Sequence, residues 1–195
     1  MDLQAFIPFI LFSFFASVTP GPANLAIFSQ SCNSKWNHML LFGLGISVGF
    51  AIVLFVGAII YLSGAKQSED LSYILKFIGS LYFLYLGVML YRSKINSVDQ
   101  GAQLKSFLKG LFIHPLSYKA WLFVVLAYSS FIPPSLQNNI LYFAEIFLVS
   151  SIVAMLPWMI GGFVIGKKLN ARHLVAVNRL SGVALIGLVV YIWLI

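Results

Sequence analysis

The sequence predicts an all-α membrane protein: one domain of six transmembrane helices in an inverted three-plus-three repeat, with helices 1 and 4 broken. Three observations carry this. Hydrophobic residues make up 61% of the 195-residue chain and charged residues 9%, against roughly a quarter charged in soluble domains. No soluble core needs so much apolar surface, so the bilayer is the solvent. Most basic residues stand in alternate loops between long apolar runs, the pattern that orients membrane helices. The formal net charge of +7 therefore does not imply a nucleic-acid partner. Finally, the first and fourth runs carry prolines where an uninterrupted helix is expected.

The six segments are expected at about residues 4–31, 39–63, 71–91, 108–132, 139–165 and 175–194. The first has no charge from Leu3 to Ser34 and is long enough to cross a bilayer. Asp2 stands where a signal peptide carries basic residues, and the run is too long for one, so it is not read as removable. Thr19-Pro20-Gly21-Pro22-Ala23-Asn24 interrupts it. Each proline removes a backbone donor and disfavours helix in the residue before it. In hydrocarbon, freed backbone groups are tolerated only when buried in protein or lining a polar cavity. Thr19 is the expected N-cap, Pro20 the first helical position, and a second half-helix runs from about Ala23 to Ser31. Its positive dipole end at membrane depth suits an anionic group such as a carboxylate. The alternative is a kink that only lets helices pack closely.

The halves, about 1–95 and 106–195, show four correspondences. Segments one and four are broken, at Pro20/Pro22 and at Pro115. Segments two and five each hold a four-spaced glycine pair, Gly45/Gly49 and Gly162/Gly166, which permits close helix approach. Segment three enters as Lys76-x-x-Gly79 and segment six as Arg179-x-x-Gly182. Lys35, then Arg92, Lys94, Lys105 and Lys109, then Lys167, Lys168 and Arg172 follow the odd-numbered segments, whereas Lys66 stands alone opposite. Both termini are thus expected outside the cytoplasm, with the polar linker Ser93–Lys105 inside it.

Segment four contains His114-Pro115-Leu116-Ser117-Tyr118-Lys119. Pro115 bends or interrupts the helix and Ser117 is suited to cap a restarted half. Lys119 falls near the membrane centre, where a lysine costs about 3 kcal/mol on insertion scales, so it is expected to face the bundle interior. Two readings stand: a substrate ligand, or a lysine satisfying loose carbonyls of the break. Glu145 and His114 are the candidates for proton coupling. Glu145 lies close enough to the outer end of segment five to reach the interface instead, and His114 lies near the inner end of segment four. Trp36, Tyr91 and Trp193 suit interfacial anchoring. The only cysteine is Cys32, which excludes an internal disulfide or paired-thiol redox chemistry. No metal-ligand spacing and no phosphate-binding glycine loop occur, so no metal and no cofactor are expected.

The Ser17-Val18-Thr19-Pro20-Gly21-Pro22-Ala23-Asn24-Leu25 segment resembles the first helix of the LysE/RhtB superfamily of bacterial amino-acid exporters. The resemblance continues through Gly43–Phe50, Lys76–Gly87, Lys119–Phe123 and Asn178–Gly182, nearly the whole chain in order. Where that family has Asn-Pro-Lys, this chain has Ser117-Tyr118-Lys119, with its proline displaced to Pro115. Gly45–Val53 and Ala127–Pro133 are similar to the cysteine/O-acetylserine exporter branch. The resemblance implies a secondary transporter of the bacterial inner membrane, exporting a small zwitterionic amino acid or derivative. With no ATP-binding motif, the proton gradient is the expected energy source. Thr19, Pro20, Gly21, Pro22 and Asn24 would hold the carboxylate from one half, and Ser117 and Lys119 from the other. No catalytic residue is expected, and homo-oligomerisation is left open. Rivals are an intramembrane enzyme, which needs a nucleophile with a base or metal at depth, and a non-transporting assembly subunit, which needs no paired helix breaks.

Overall fold

The computed structural model describes residues 3–33, 35–63, 69–92, 102–132 and 134–194. Asp2, Lys66 and the linker around Lys94 lie outside them. Among the described residues the chain is helical throughout, without strands: α1 (Leu3–Val18), α2 (Pro22–Asn33), α3 (Trp36–Leu62), α4 (Glu69–Arg92), α5 (Ala102–Leu111), α6 (Tyr118–Phe131), α7 (Ile140–Lys168) and α8 (Ala171–Leu194), with a short 3₁₀ turn, Pro134–Asn139, leading into α7. α3 and α7 are each long and apolar enough to span a bilayer, and α1 with α2 forms a third such run, bent by 54° at its break.

Both expected breaks occur. Pro20 and Pro22 withhold the N–H groups on either side of Gly21, so α1 ends at Val18 and α2 starts afresh. The cap differs from expectation. Gly21, not Thr19, occupies the N-cap position: its carbonyl accepts the Leu25 N–H at 2.9 Å, and Pro22, not Pro20, is the first helical residue. Thr19 instead bonds back to α1, its hydroxyl donating to the Ala16 carbonyl at 2.9 Å. In segment four the break is wider than one proline, a turn from Phe112 to Leu116 between α5 and α6. Ser117 caps α6 as expected, accepting from the Ala120 N–H. α5 begins at Ala102, so Lys105 and Lys109 are helical residues, not loop residues. They share an exposed face at four-residue spacing.

Two apolar clusters hold the bundle together. One joins α1, α3, α6 and α7 through Phe9, Phe50, Val124, Tyr128, Phe143 and Phe147. The other joins α2, α3, α4, α7 and α8 through Ile27, Met39, Phe42, Phe83, Met159 and Leu185. The glycines set the closest approaches, though not as repeat partners. Gly45 and Gly49, in the first half of α3, lie against the Phe107 and Leu111 carbonyls of α5. Gly162 and Gly166, near the end of α7, lie against the Phe28 and Cys32 carbonyls of α2. Equivalent residues of a repeat would sit at like distances from their helix starts, and these do not. Gly182 of α8 lies against the Gly87 carbonyl of α4.

A β-carbon at Gly45 would overlap the Phe107 carbonyl oxygen, and two backbones cannot both yield. Gly45→Ala is therefore expected to destabilise the protein by about 1–3 kcal/mol, the range for overpacking. A lowered melting temperature in detergent checks this; Gly161→Ala, where nothing lies within 4 Å of the added carbon, is the control.

Candidate functional site

The two breaks meet. Lys119, in the first turn of α6, reaches from the second break to the first, where its Nζ donates to the Thr19 hydroxyl at 3.0 Å and to the Thr19 carbonyl at 3.3 Å. Gly21 leaves it room: a β-carbon there would stand 3.1 Å from Nζ. The end of α1 is otherwise satisfied from elsewhere. Asn24 Nδ2 donates to the carbonyls of Ser17 at 2.8 Å and Thr19 at 2.9 Å, and lies 3.4 Å from that of Val18. Trp158 of α7 donates its indole N–H to Val18 at 3.2 Å. The carbonyls freed by the prolines thus have partners, as burial in hydrocarbon requires.

The backbone donors are arranged differently. Pro20 and Pro22 have none, so the first turn of α2 offers the N–H groups of Ala23 and Asn24, which have no intrahelical acceptor. The N-terminus of α6 lies beside them. Both positive helix ends and the Lys119 ammonium border one cavity, whose space, open mouth included, is about 610 Å³. Thr19, Gly21, Pro22, Asn24, Ser117 and Lys119 all line it, as does His114. Among the described residues, no carboxylate does. The electrostatics therefore favour an anionic group near the helix ends.

Not every expected residue is there. Pro20 is exposed and does not line the cavity; it shapes the break without touching its contents. Glu145 is exposed on α7, also away from the cavity. Lys119 takes the carbonyl contacts of the structural reading and lines the cavity as the ligand reading requires. The remaining wall was missed: Ser47 and Phe50 of α3, Phe123 of α6, and Phe147, Ser151 and Met155 of α7. Phe50 packs edge-on to Phe147, with ring centroids 5.1 Å apart, and tilts over His114 at 4.6 Å. Ser47 had only its place between Gly45 and Gly49 to mark it, and its hydroxyl returns to the Gly43 carbonyl at 3.0 Å. Ser151 had only its polarity within an apolar run.

The polar side chains at the breaks serve the backbone or stand apart from one another. Ser117 Oγ serves as a helix cap, and His114 Nδ1 is enclosed without a hydrogen-bond partner, so the two do not form a nucleophile–base pair. Among the described residues no three His, Cys, Asp or Glu gather into a metal site.

A bundle of apolar helices with two helix breaks facing one cavity is the arrangement of a membrane transporter. The chain belongs to the LysE type translocator family, whose model matches residues 14–194. It is similar to a cysteine/O-acetylserine efflux protein of Klebsiella pneumoniae, 24% identical over 171 residues, covering 83% of this chain and 87% of that protein. It is also similar to an uncharacterized membrane protein of Synechocystis sp., 32% identical over 131 residues, covering 63% of this chain and 61% of that protein. No solved structure matches the chain.

Proposed function

We propose that the protein is a secondary transporter of the bacterial inner membrane that exports a small zwitterionic amino acid or derivative in exchange for protons. It is not an enzyme in this reading. Its six spans are the α1–α2 pair, α3, α4, the α5–α6 pair, α7 and α8, in two inverted halves. One observation carries the reading: Lys119 bridges from one helix break to the other across a cavity with two helix N-termini and, among the described residues, no carboxylate. That arrangement supports binding of a substrate carboxylate between Lys119, Ser117 and the first turn of α2, with Thr19, Gly21, Pro22 and Asn24 forming the near wall. The name of the Klebsiella relative supports a small polar amino acid as the substrate class. His114 is the proton-coupling candidate that lines the cavity.

Counterflow tests the binding step alone. Proteoliposomes preloaded with unlabelled cysteine or O-acetylserine should accumulate the labelled compound from outside, without any imposed gradient. No accumulation with these or any other small amino acid would remove the proposal.

Orientation is tested with an introduced thiol. Cys32 is buried against Gly166 and makes a poor reporter, whereas Lys35, three residues on, is exposed. In a Cys32→Ser background, Lys35→Cys should react with a membrane-impermeant maleimide in inverted vesicles and be protected in intact spheroplasts. The opposite pattern would reverse the topology.

A further inference from the structure

One polar atom beside the cavity stands out. His114 Nδ1 is enclosed and has no hydrogen-bond partner, although leaving a buried polar group unpaired is costly. The other polar groups singled out at the two breaks have work: Asn24 and Trp158 hold carbonyls, Ser117 caps α6, and Lys119 rests on Thr19. The imidazole is held in place. Its ring lies over Phe50, and its own carbonyl accepts the Ser117 N–H at 2.9 Å. It therefore sits one turn before the α6 N-terminus, close to where a carboxylate would bind.

We propose that His114 Nδ1 accepts a hydrogen bond from the substrate's ammonium group, which makes His114 the residue that selects amino acids over other small carboxylates. This rests on the transporter reading above and goes beyond it by assigning the second charged group. The remaining lining residues explain why a neutral imidazole is needed. Three cationic features surround the carboxylate end, and among the described residues none that lines the cavity is acidic, so none of these offers the ammonium a counter-charge. It requires a neutral acceptor, supplemented by the faces of Phe50, Phe123 and Phe147. A proton on Nδ1 turns the acceptor into a charged donor. Substrate and proton then exclude one another at one atom, the relation an exchanger needs. Among the described residues, the titratable groups that line the cavity with His114 reduce to Lys119 on α6: α1 and α2 contribute Ser17 and Asn24, α3 contributes Ser47 and Phe50, and α7 contributes Phe147 and Ser151.

The test compares a transported amino acid with its 2-hydroxy acid, which keeps the carboxylate and side chain and replaces the ammonium by a hydroxyl. In reconstituted wild type, the amino acid should bind at least about tenfold more tightly, equivalent to ~1.4 kcal/mol. The asparagine amide can occupy the place of Nδ1, the glutamine amide that of Nε2. His114→Asn should thus keep the discrimination, while His114→Gln and His114→Phe lose it. Acidifying the medium should weaken amino-acid binding to wild type and leave His114→Asn unaffected, with Lys119 present in both. Equal binding of the two compounds by wild type overturns the proposal without recourse to a variant. Retained discrimination in His114→Phe overturns it as well. A wild type that binds no amino acid at all would instead strike the transporter reading.

Discussion

Lys119→Met is expected to weaken substrate binding by about ten- to a hundredfold. The range follows from removing a hydrogen bond to a charged group, worth roughly 1.5–3 kcal/mol, with each 1.4 kcal/mol counting tenfold. Methionine keeps much of the apolar stem that crosses Gly21 and lies toward Phe123, whose ring centroid is 5.3 Å from Nζ. The rival explanation, that Lys119 exists to satisfy a loose carbonyl, predicts a different outcome. The Thr19 carbonyl already has Asn24 Nδ2 at 2.9 Å, so losing Nζ leaves it bonded and the break standing. Affinity should fall while thermal stability in detergent changes little. A substrate analogue with its carboxylate converted to an amide sharpens the comparison. Wild type should discriminate against it strongly and Lys119→Met much less. Equal discrimination by both would remove Lys119 from the binding site.

The second large effect is expected from Pro20→Ala/Pro22→Ala. With two N–H groups restored, the segment from Leu3 to Asn33 can continue as one helix, and the 54° bend loses its cause. The carbonyls now held by Asn24, Trp158 and Lys119 would be taken by the helix itself. The α2 N-terminus would vanish from the cavity, and with it a dipole interaction worth up to ~2 kcal/mol. The seat of Lys119 on Thr19 would go too. Transport should fall about a hundredfold, an effect of ~2.7 kcal/mol. Membrane insertion should survive, because an unbroken helix satisfies its own backbone in lipid. Pro20→Ala alone should do far less, since Pro22 still withholds its N–H and keeps the α2 N-terminus at the cavity. Near-normal transport by the double variant would reduce the motif to a packing kink.

Local sequence made the breaks legible, because a proline's missing donor and fixed φ act wherever the chain goes. The Ser117 cap was readable for the same reason. Legibility ended where the partner is distant. Thr19 reads as an N-cap from its neighbours, but Asn24 and Trp158, the latter 140 positions along from Val18, take the carbonyls, and Gly21 is left to cap α2. Lys105 and Lys109 read as loop residues because they follow a polar linker; their four-residue spacing on one exposed face was the helical signal. The glycine pairs announced close packing and not its partners. The cavity's aromatic wall was hidden among 18 phenylalanines, most of which only pack or face lipid. His114 was readable as titratable, but its orphaned Nδ1 is a property of packing that no spacing reveals.

The most direct test of export driven by protons uses inverted membrane vesicles, whose lumen corresponds to the outside of the cell. With an acidic lumen imposed, vesicles carrying the protein should accumulate at least one labelled small amino acid. Accumulation should collapse when a protonophore dissipates the gradient, and vesicles carrying Lys119→Met should need a far higher substrate concentration. Uptake that is indifferent to the gradient, or no uptake of any small amino acid by vesicles that hold folded protein, would contradict the account.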